Sequence, residues 1–252
     1  MPRLRPPHAP IKFPKPIVVG EQLQLDAGAA KSLHFRQIQE KEAFTLMDAE
    51  GRFFRASVLS ASRERVRVEV YEAMSGSPES HVEITLVAAV LARQRMLMVV
   101  QKATELGVTR ILPVFSACSV GADGLEHEKA HAWPGQVLRA ARQCRRASVP
   151  ELRSAAPLAA VLDDPVWTGA HARFALDDRA GAPLAELPER EPSAALEIVF
   201  AVGPEGGWSD AERALLEARG ARRLRLGHRV LRAETAVLAG LAVLQHSLGD
   251  LR

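Results

Sequence analysis

The chain has 252 residues, 47% hydrophobic and 25% charged, enough to bury one large core or one small and one medium core. No apolar stretch approaches the roughly 20 residues of a membrane helix, and prolines and basic residues stand at the N-terminus where a signal peptide carries an apolar core, so a cytoplasmic protein with no membrane partner is expected. The net charge of +3 is too small to argue for a polyanion partner by itself, and Cys118 and Cys144 are too few for a disulfide framework.

The opening segment, Pro2 to Pro16, is proline-rich and carries Arg3, Arg5, Lys12 and Lys15, which reads as an extended basic arm able to meet phosphates. From Ala43 to Glu72 the pattern is β: Phe44 to Met47, a turn at Asp48 to Gly51, then Phe53 to Leu59. In Arg65 to Val70 the valines fall on one face and the charges on the other, as in a half-exposed strand of a small barrel or sheet. The stretch from Ala73 to Ser80 is small, polar and turn-prone and marks a domain boundary, giving a β-rich domain over residues 1–74 and a second domain over 75–252.

Beyond it, the apolar runs Val82–Val90, Ile111–Phe115, Ala172–Leu176, Leu196–Val202 and Leu224–Leu226 alternate with helical segments, the pattern of an α/β domain with a parallel sheet. Its first helix places Met96, Val99, Val100, Ala103 and Leu106 on one face and ends at Gly107. Arg139, Arg142, Arg145 and Arg146 form a second basic cluster.

Two loops follow strands. The first is Gly203-Pro204-Glu205-Gly206-Gly207-Trp208, whose glycines let the main chain approach a ligand while the proline stiffens the turn. Ser209 and Glu212 then have capping-box spacing, so a helix is predicted from Ser209 to Gly220. The second loop runs from Leu226 through Gly227, His228 and Arg229 to Arg232, before a long apolar helix. Ligands of open α/β sheets sit beyond the carboxyl ends of strands, so the two loops are expected to share one ligand.

Neither G-x-G-x-x-G nor the P-loop pattern occurs. His127, Glu128 and His131 do match H-E-x-x-H, with Glu151 as a third candidate zinc ligand, although Pro134 and Pro150 argue against the helical context that a zinc hydrolase needs.

Taken together, Gly203 to Gly207 and Leu226-Gly227-His228-Arg229-Val230-Leu231-Arg232-Ala233-Glu234-Thr235-Ala236 resemble the signature of the RsmE-like 16S rRNA (uracil-N3) methyltransferases of the SPOUT superfamily. Gln101 to Val108 with Ile111-Leu112-Pro113, and Gln143-Cys144 through Arg146 to Val149-Pro150-Glu151, resemble the same family. The β-rich segment with His34 is similar to its PUA-like RNA-binding domain. Two places depart from the family pattern: Ile38-Gln39-Glu40 stands where an arginine-containing motif is usual, and Arg142 and Arg145 replace a glutamate and a smaller residue.

The resemblance implies a deep trefoil knot, a homodimer formed through the knot region with the helix from Thr235 to Leu248 as an interface element, and S-adenosyl-L-methionine as cofactor without any metal. It places the cofactor on Leu176, Phe200, Gly203, Pro204, Glu205, Gly206, Gly207, Leu226, Gly227, Val230, Leu231, Thr235 and Ala236. Arg232 and Glu234 are the implied catalytic pair, and Arg3, Arg5, Lys12, Arg36, Arg142 and Arg146 the implied contacts to 16S rRNA or the small ribosomal subunit. An RNA-binding protein with an inactive methyltransferase fold is the alternative that cofactor binding would separate.

Overall fold

The computed structural model describes residues 7–62, 65–177, 179, 181–183 and 196–251. In chain order the strands and helices are β1 (Ile11–Lys12), β2 (Gln22–Leu25), α1 (Ala27–Phe35), β3 (Ala43–Met47), β4 (Phe53–Ala61), β5 (Val66–Ala73), β6 (Val82–Ala89), α2 (Arg93–Glu105), β7 (Arg110–Phe115) and α3 (Trp133–Gln143). They continue with β8 (Glu151–Leu152), β9 (Ala156–Pro157), α4 (Leu158–Leu162), α5 (Pro165–Thr168), β10 (Ala172–Leu176), β11 (Ala182–Pro183), β12 (Leu196–Val202), α6 (Asp210–Ala218), β13 (Arg222–Arg225) and α7 (Ala233–Leu248).

The chain forms two compact units. The first comprises the part up to Glu79 together with Val137–Pro150, and the second comprises Ser80–Gln136 and Glu151–Arg252. The boundary read from sequence at 74/75 lies five residues before the structural division, and the return of Val137–Pro150 to the first unit has no local sequence signal. Its contacts are made over separations of about a hundred residues, as the arginines below illustrate.

The first unit is a five-stranded sheet in the order β1-β3-β4-β5-β2. Strict alternation in β5 buries Val66, Val68 and Val70 and exposes the charges between them, and these valines pack with Leu23, Leu25, Phe54, Ala56 and Val58. Helix α1 covers this core through Ala29, Ala30 and Leu33, and is started by Asp26, whose carboxylate accepts the Ala29 N–H at 2.8 Å.

The second unit is an α/β fold on a parallel sheet, β11-β13-β10-β12-β6-β7-β8, with β9 pairing β7. Parallel strands buried on both faces need near-continuous apolar sequence, and β6 and β12 supply it. One face carries α4, α5 and α6, with Leu158, Leu162, Trp167 and Leu216 packed on Val199, Ala201 and Val114. Helices α2 and α7 pack against each other, and α7 also lies on β6 and β12. The predicted apolar face of α2 is buried at Met96, Val99, Val100 and Ala103.

Close approach of α7 to the sheet depends on Gly240, where a Cβ would stand 2.3 Å from the Phe200 ring. The other end of α7 is tied by Gln245, whose amide donates to the Leu106 carbonyl at 2.8 Å and accepts from the Ser80 hydroxyl at 2.8 Å. No described helix is long and apolar enough to cross a membrane.

Candidate active site

Strands β10, β12 and β13 end side by side, and their last residues, Leu176, Val202 and Arg225, open onto one cleft in the second unit. The cleft is walled by the loop from Gly203 to Trp208 and the loop from Leu226 to Leu231, and is closed by the start of α7 at Ala233 and Ala236. Both glycine-bearing loops thus sit beyond the carboxyl ends of parallel strands, where such sheets leave room for a ligand.

Local chemistry fixes the first loop. Pro204 O accepts the Gly207 N–H at 2.9 Å, and Gly207 adopts φ 69°, as Gly227 adopts φ 82° in the second loop; a side chain at either would be strained. Trp208 is buried beneath the loop: its indole N–H donates to the Leu176 carbonyl at 3.1 Å, and a Cβ on Gly203 would approach its ring to 3.2 Å. Next, Ser209 and Glu212 form the predicted capping box, with the Ser209 N–H donating to Glu212 Oε2 at 2.8 Å and the Glu212 N–H donating to Ser209 Oγ at 3.3 Å. The other Glu212 oxygen accepts the Ala117 N–H at 2.8 Å, tying α6 to the turn after β7.

Of the residues expected to hold the cofactor, Leu176, Gly203, Pro204, Glu205, Gly207, Leu226, Gly227, Val230, Leu231 and Ala236 line the cleft. Phe200, Gly206 and Thr235 do not. Phe200 shares a strand face with Val202 but lies two residues deeper, fully buried with its ring against Gly240. Gly206 backs onto Cys118, whose Cβ is 2.9 Å from where a Gly206 Cβ would stand, and Thr235 is exposed. Asp177, Val202, Trp208, Arg225, Arg229 and Ala233 also line the cleft and were not among the expected residues; Trp208, which closes the Gly203 motif, and Arg229 and Ala233, which lie within the Leu226 to Ala236 run, carried a signal that could have found them.

Charge in the cleft is organised by arginines. Asp177 has a side chain only 1% exposed, and Oδ2 forms ion pairs at 3.2 Å with both Arg213 and Arg223. Glu205 pairs with Arg95 of α2. At the start of α7, Arg232 is the exposed N-cap residue and makes no side-chain cap. Glu234 is buried in the first turn, with Oε2 out of solvent and without a hydrogen-bond partner. Among the described residues no ion pair joins Arg232 and Glu234.

The expected RNA contacts divide. Lys12 is exposed, and Arg142 remains one-third exposed while donating to the Gln37 carbonyl at 2.6 Å and standing 3.6 Å from the Glu42 carboxylate. Arg3 and Arg5 lie outside the described residues. Arg36 and Arg146 are corrections: both are buried in the first unit and serve its own chain. Arg36 donates to the carbonyls of Ala147 at 2.7 Å and Ala9 at 2.5 Å; burial pushes its pKa down to about 10, Glu79 opposing and Arg146 adding to the shift. Arg146 grips Glu79 at 2.6 and 3.0 Å. A guanidinium committed to buried partners is not available to a phosphate.

The H-E-x-x-H segment is not a helix. Lys129 takes the left-handed conformation at φ 54°, so His127 and His131 do not share a helical face, and both are exposed. Glu128 instead accepts the Arg93 N–H at the start of α2, and Glu151 pairs with Arg110 and Arg153. Among the described residues no group of three His, Cys, Asp or Glu side chains is placed to hold a metal ion.

The RNA methyltransferase domain family matches residues 78–245, most of the second unit. The ribosomal RNA small subunit methyltransferase E of Mycobacterium bovis is 33% identical over 216 residues, covering 82% of this chain and 79% of that protein. The enzyme of the same name from Aquifex aeolicus is 26% identical, covering 90% and 95%. Among solved structures, the Neisseria gonorrhoeae ribosomal RNA small subunit methyltransferase E bound to S-adenosyl methionine superposes with a TM-score of 0.68 at 30% identity, covering 97% of this chain and 100% of that one. With a family match over the sheet that builds the cleft and a relative one-third identical across both units, the chain belongs to the ribosomal RNA small subunit methyltransferase E family.

Proposed function

We propose that this protein transfers a methyl group from S-adenosylmethionine to N3 of a specific uridine in the 16S rRNA of the small ribosomal subunit. The observation that carries the reading is the single cleft at the ends of β10, β12 and β13, walled by the Gly203 and Leu226 loops in a chain of this family. Its lining fits the cofactor: Leu176, Val202, Leu226, Val230 and Leu231 offer apolar surface for a purine and ribose, and the glycine loops offer main-chain donors and acceptors. When bound, S-adenosylmethionine supplies a methyl group already activated by its sulfonium.

The residues then have to align the nucleophile, exclude water and manage one proton. Uracil N3 carries a proton in the neutral base and lies on the pairing edge, so the uridine is unpaired or extruded and N3 loses that proton as its bond to the methyl carbon forms. Arg232, exposed at the mouth of the cleft, stabilises the negative charge that spreads onto the uracil carbonyl oxygens. Among the described residues Glu234 makes no ion pair with Arg232, and it is assigned instead to accept the proton; its buried, unpartnered Oε2 supports a role beyond helix packing.

The first unit is read as a PUA-like RNA-binding domain, with Lys12, Arg142 and the N-terminal basic residues supplying phosphate contacts. A trefoil knot is supported by the sheet order, in which β13 inserts between β10 and β11 although those two strands are consecutive in sequence. A homodimer through α7 and the knot completes the reading. The test is transfer of labelled methyl from S-adenosylmethionine to small subunits or 16S rRNA from cells lacking the gene. Label in 16S rRNA supports the proposal; a protein that binds RNA but transfers no label to either substrate is the inactive-fold alternative.

A further inference from the structure

We propose that Arg225 is the anion-binding residue of the cleft and takes the α-carboxylate at the amino-acid end of the cofactor. The inference rests on the cofactor reading above and goes beyond it by assigning the end-to-end orientation in the cleft. Among the described residues, the charged side chains that line the cleft are Asp177, Glu205, Arg225 and Arg229. Both acids already have partners: Asp177 is held between Arg213 and Arg223, and Glu205 by Arg95. Arg229 is exposed, so water satisfies it.

Arg225 differs from all three. It is the last residue of β13 and only partly exposed, its Nε lies out of solvent, and among the described residues its side chain has no hydrogen-bond or ion-pair partner. Strand alternation explains the placement: Leu224 is fully buried, so Arg225 faces the other way, at the point where β13 ends and the cleft opens. A partly buried guanidinium whose Nε is out of solvent and lacks an acceptor is unfavourable at that atom, and gains a charge-assisted hydrogen bond when an anion arrives.

The chemistry of the cofactor limits what that anion is. S-adenosylmethionine carries one carboxylate; its sulfonium and ammonium are cationic and its adenosine is neutral, so only the carboxylate complements Arg225. The planar fork of a guanidinium matches a carboxylate in bidentate geometry, which lysine would not reproduce. An RNA phosphate offers the same chemistry from a different source, and the experiment separates the two.

The experiment is calorimetric titration of the full-length protein and its Arg225→Gln variant with S-adenosylmethionine and with decarboxylated S-adenosylmethionine. Wild-type protein is expected to bind the decarboxylated ligand about 10- to 100-fold more weakly than the complete one. Arg225→Gln is expected to bind the complete cofactor weaker by a similar factor, yet to match wild type on the decarboxylated ligand, which also reports that the cleft is intact. Equal losses on both ligands, or no loss on either, overturn the assignment. Unchanged binding of both ligands together with a weakened, less salt-dependent affinity for 16S rRNA assigns the anion to a phosphate and likewise overturns it. Wild-type protein that binds neither ligand overturns the cofactor reading itself, a result distinct from a wild type that binds both and a variant that behaves identically.

Discussion

Arg232→Ala is expected to lower kcat/KM for methyl transfer to 16S rRNA by about 10²- to 10³-fold, while S-adenosylmethionine affinity stays within about threefold of wild type. Arg232 is exposed, makes no side-chain cap on α7 and no ion pair with Glu234, so the fold does not depend on its guanidinium. It stands between Leu231 and Ala233, both of which line the cleft, at the edge where a base must enter. A residue that neither supports the helix nor lines the cofactor cleft and is still needed for turnover acts on the substrate. Steady-state kinetics together with calorimetry separates the cases: full turnover removes Arg232 from the chemistry, and lost cofactor affinity makes it part of the binding wall instead.

Arg146→Ala is expected to destabilise the first unit by about 3–5 kcal/mol, the range found when one partner of a buried ion pair is removed. Arg146 and Glu79 have side chains 4% and 17% exposed. Glu79 also accepts the Ser148 N–H at 2.9 Å and its hydroxyl at 2.5 Å, so one carboxylate organises the return of Val137–Pro150 to the sheet of the first unit. Without Arg146 that carboxylate stays buried with much of its charge uncompensated. Urea unfolding followed by circular dichroism measures the loss, with separate transitions for the two units allowed in the fit; tryptophan fluorescence identifies the transition of the second unit, which holds Trp133, Trp167 and Trp208. Removing the charge as well, Arg146→Met with Glu79→Gln, which keeps an acceptor for Ser148, is expected to recover part of it, because much of the cost lies in the orphaned charge. A loss below about 1 kcal/mol for Arg146→Ala contradicts the structural role assigned here.

Much of this was legible in sequence where the determinants are local. The capping box of Ser209 and Glu212, the buried stripe of α2 and the valine alternation of β5 each depend on residues within one or two turns or a few strand positions, and each is present. The two glycine loops after apolar strands announce themselves in the same way, and ten of the thirteen residues that the family resemblance implied for the cofactor line the cleft they wall.

What could not be read depends on contacts distant in sequence. The position of β13 between β10 and β11 is a property of strand order. Trp208 supports Gly203 only because β10 lends it the Leu176 carbonyl. The arginines show the limit most clearly, because sequence gives their charge and not their partners: Arg36 and Arg146 turn inward to Ala147, Ala9 and Glu79, whereas Arg225, which carried no motif, opens into the cleft. The H-E-x-x-H motif fails for a related reason, since one left-handed residue, Lys129, removes the helix that its spacing presupposes.

Nucleoside mass spectrometry identifies the methylated atom directly. Small subunits from cells lacking the gene are incubated with this protein and S-adenosylmethionine carrying a deuterated methyl group, and the 16S rRNA is then digested to nucleosides. Deuterated 3-methyluridine is expected at one position per subunit, and is absent when Arg232→Ala replaces the wild-type protein over the same interval. Label on a ribose, on another base or on another atom of uracil would contradict the proposed function, as would wild-type protein that binds S-adenosylmethionine and transfers nothing.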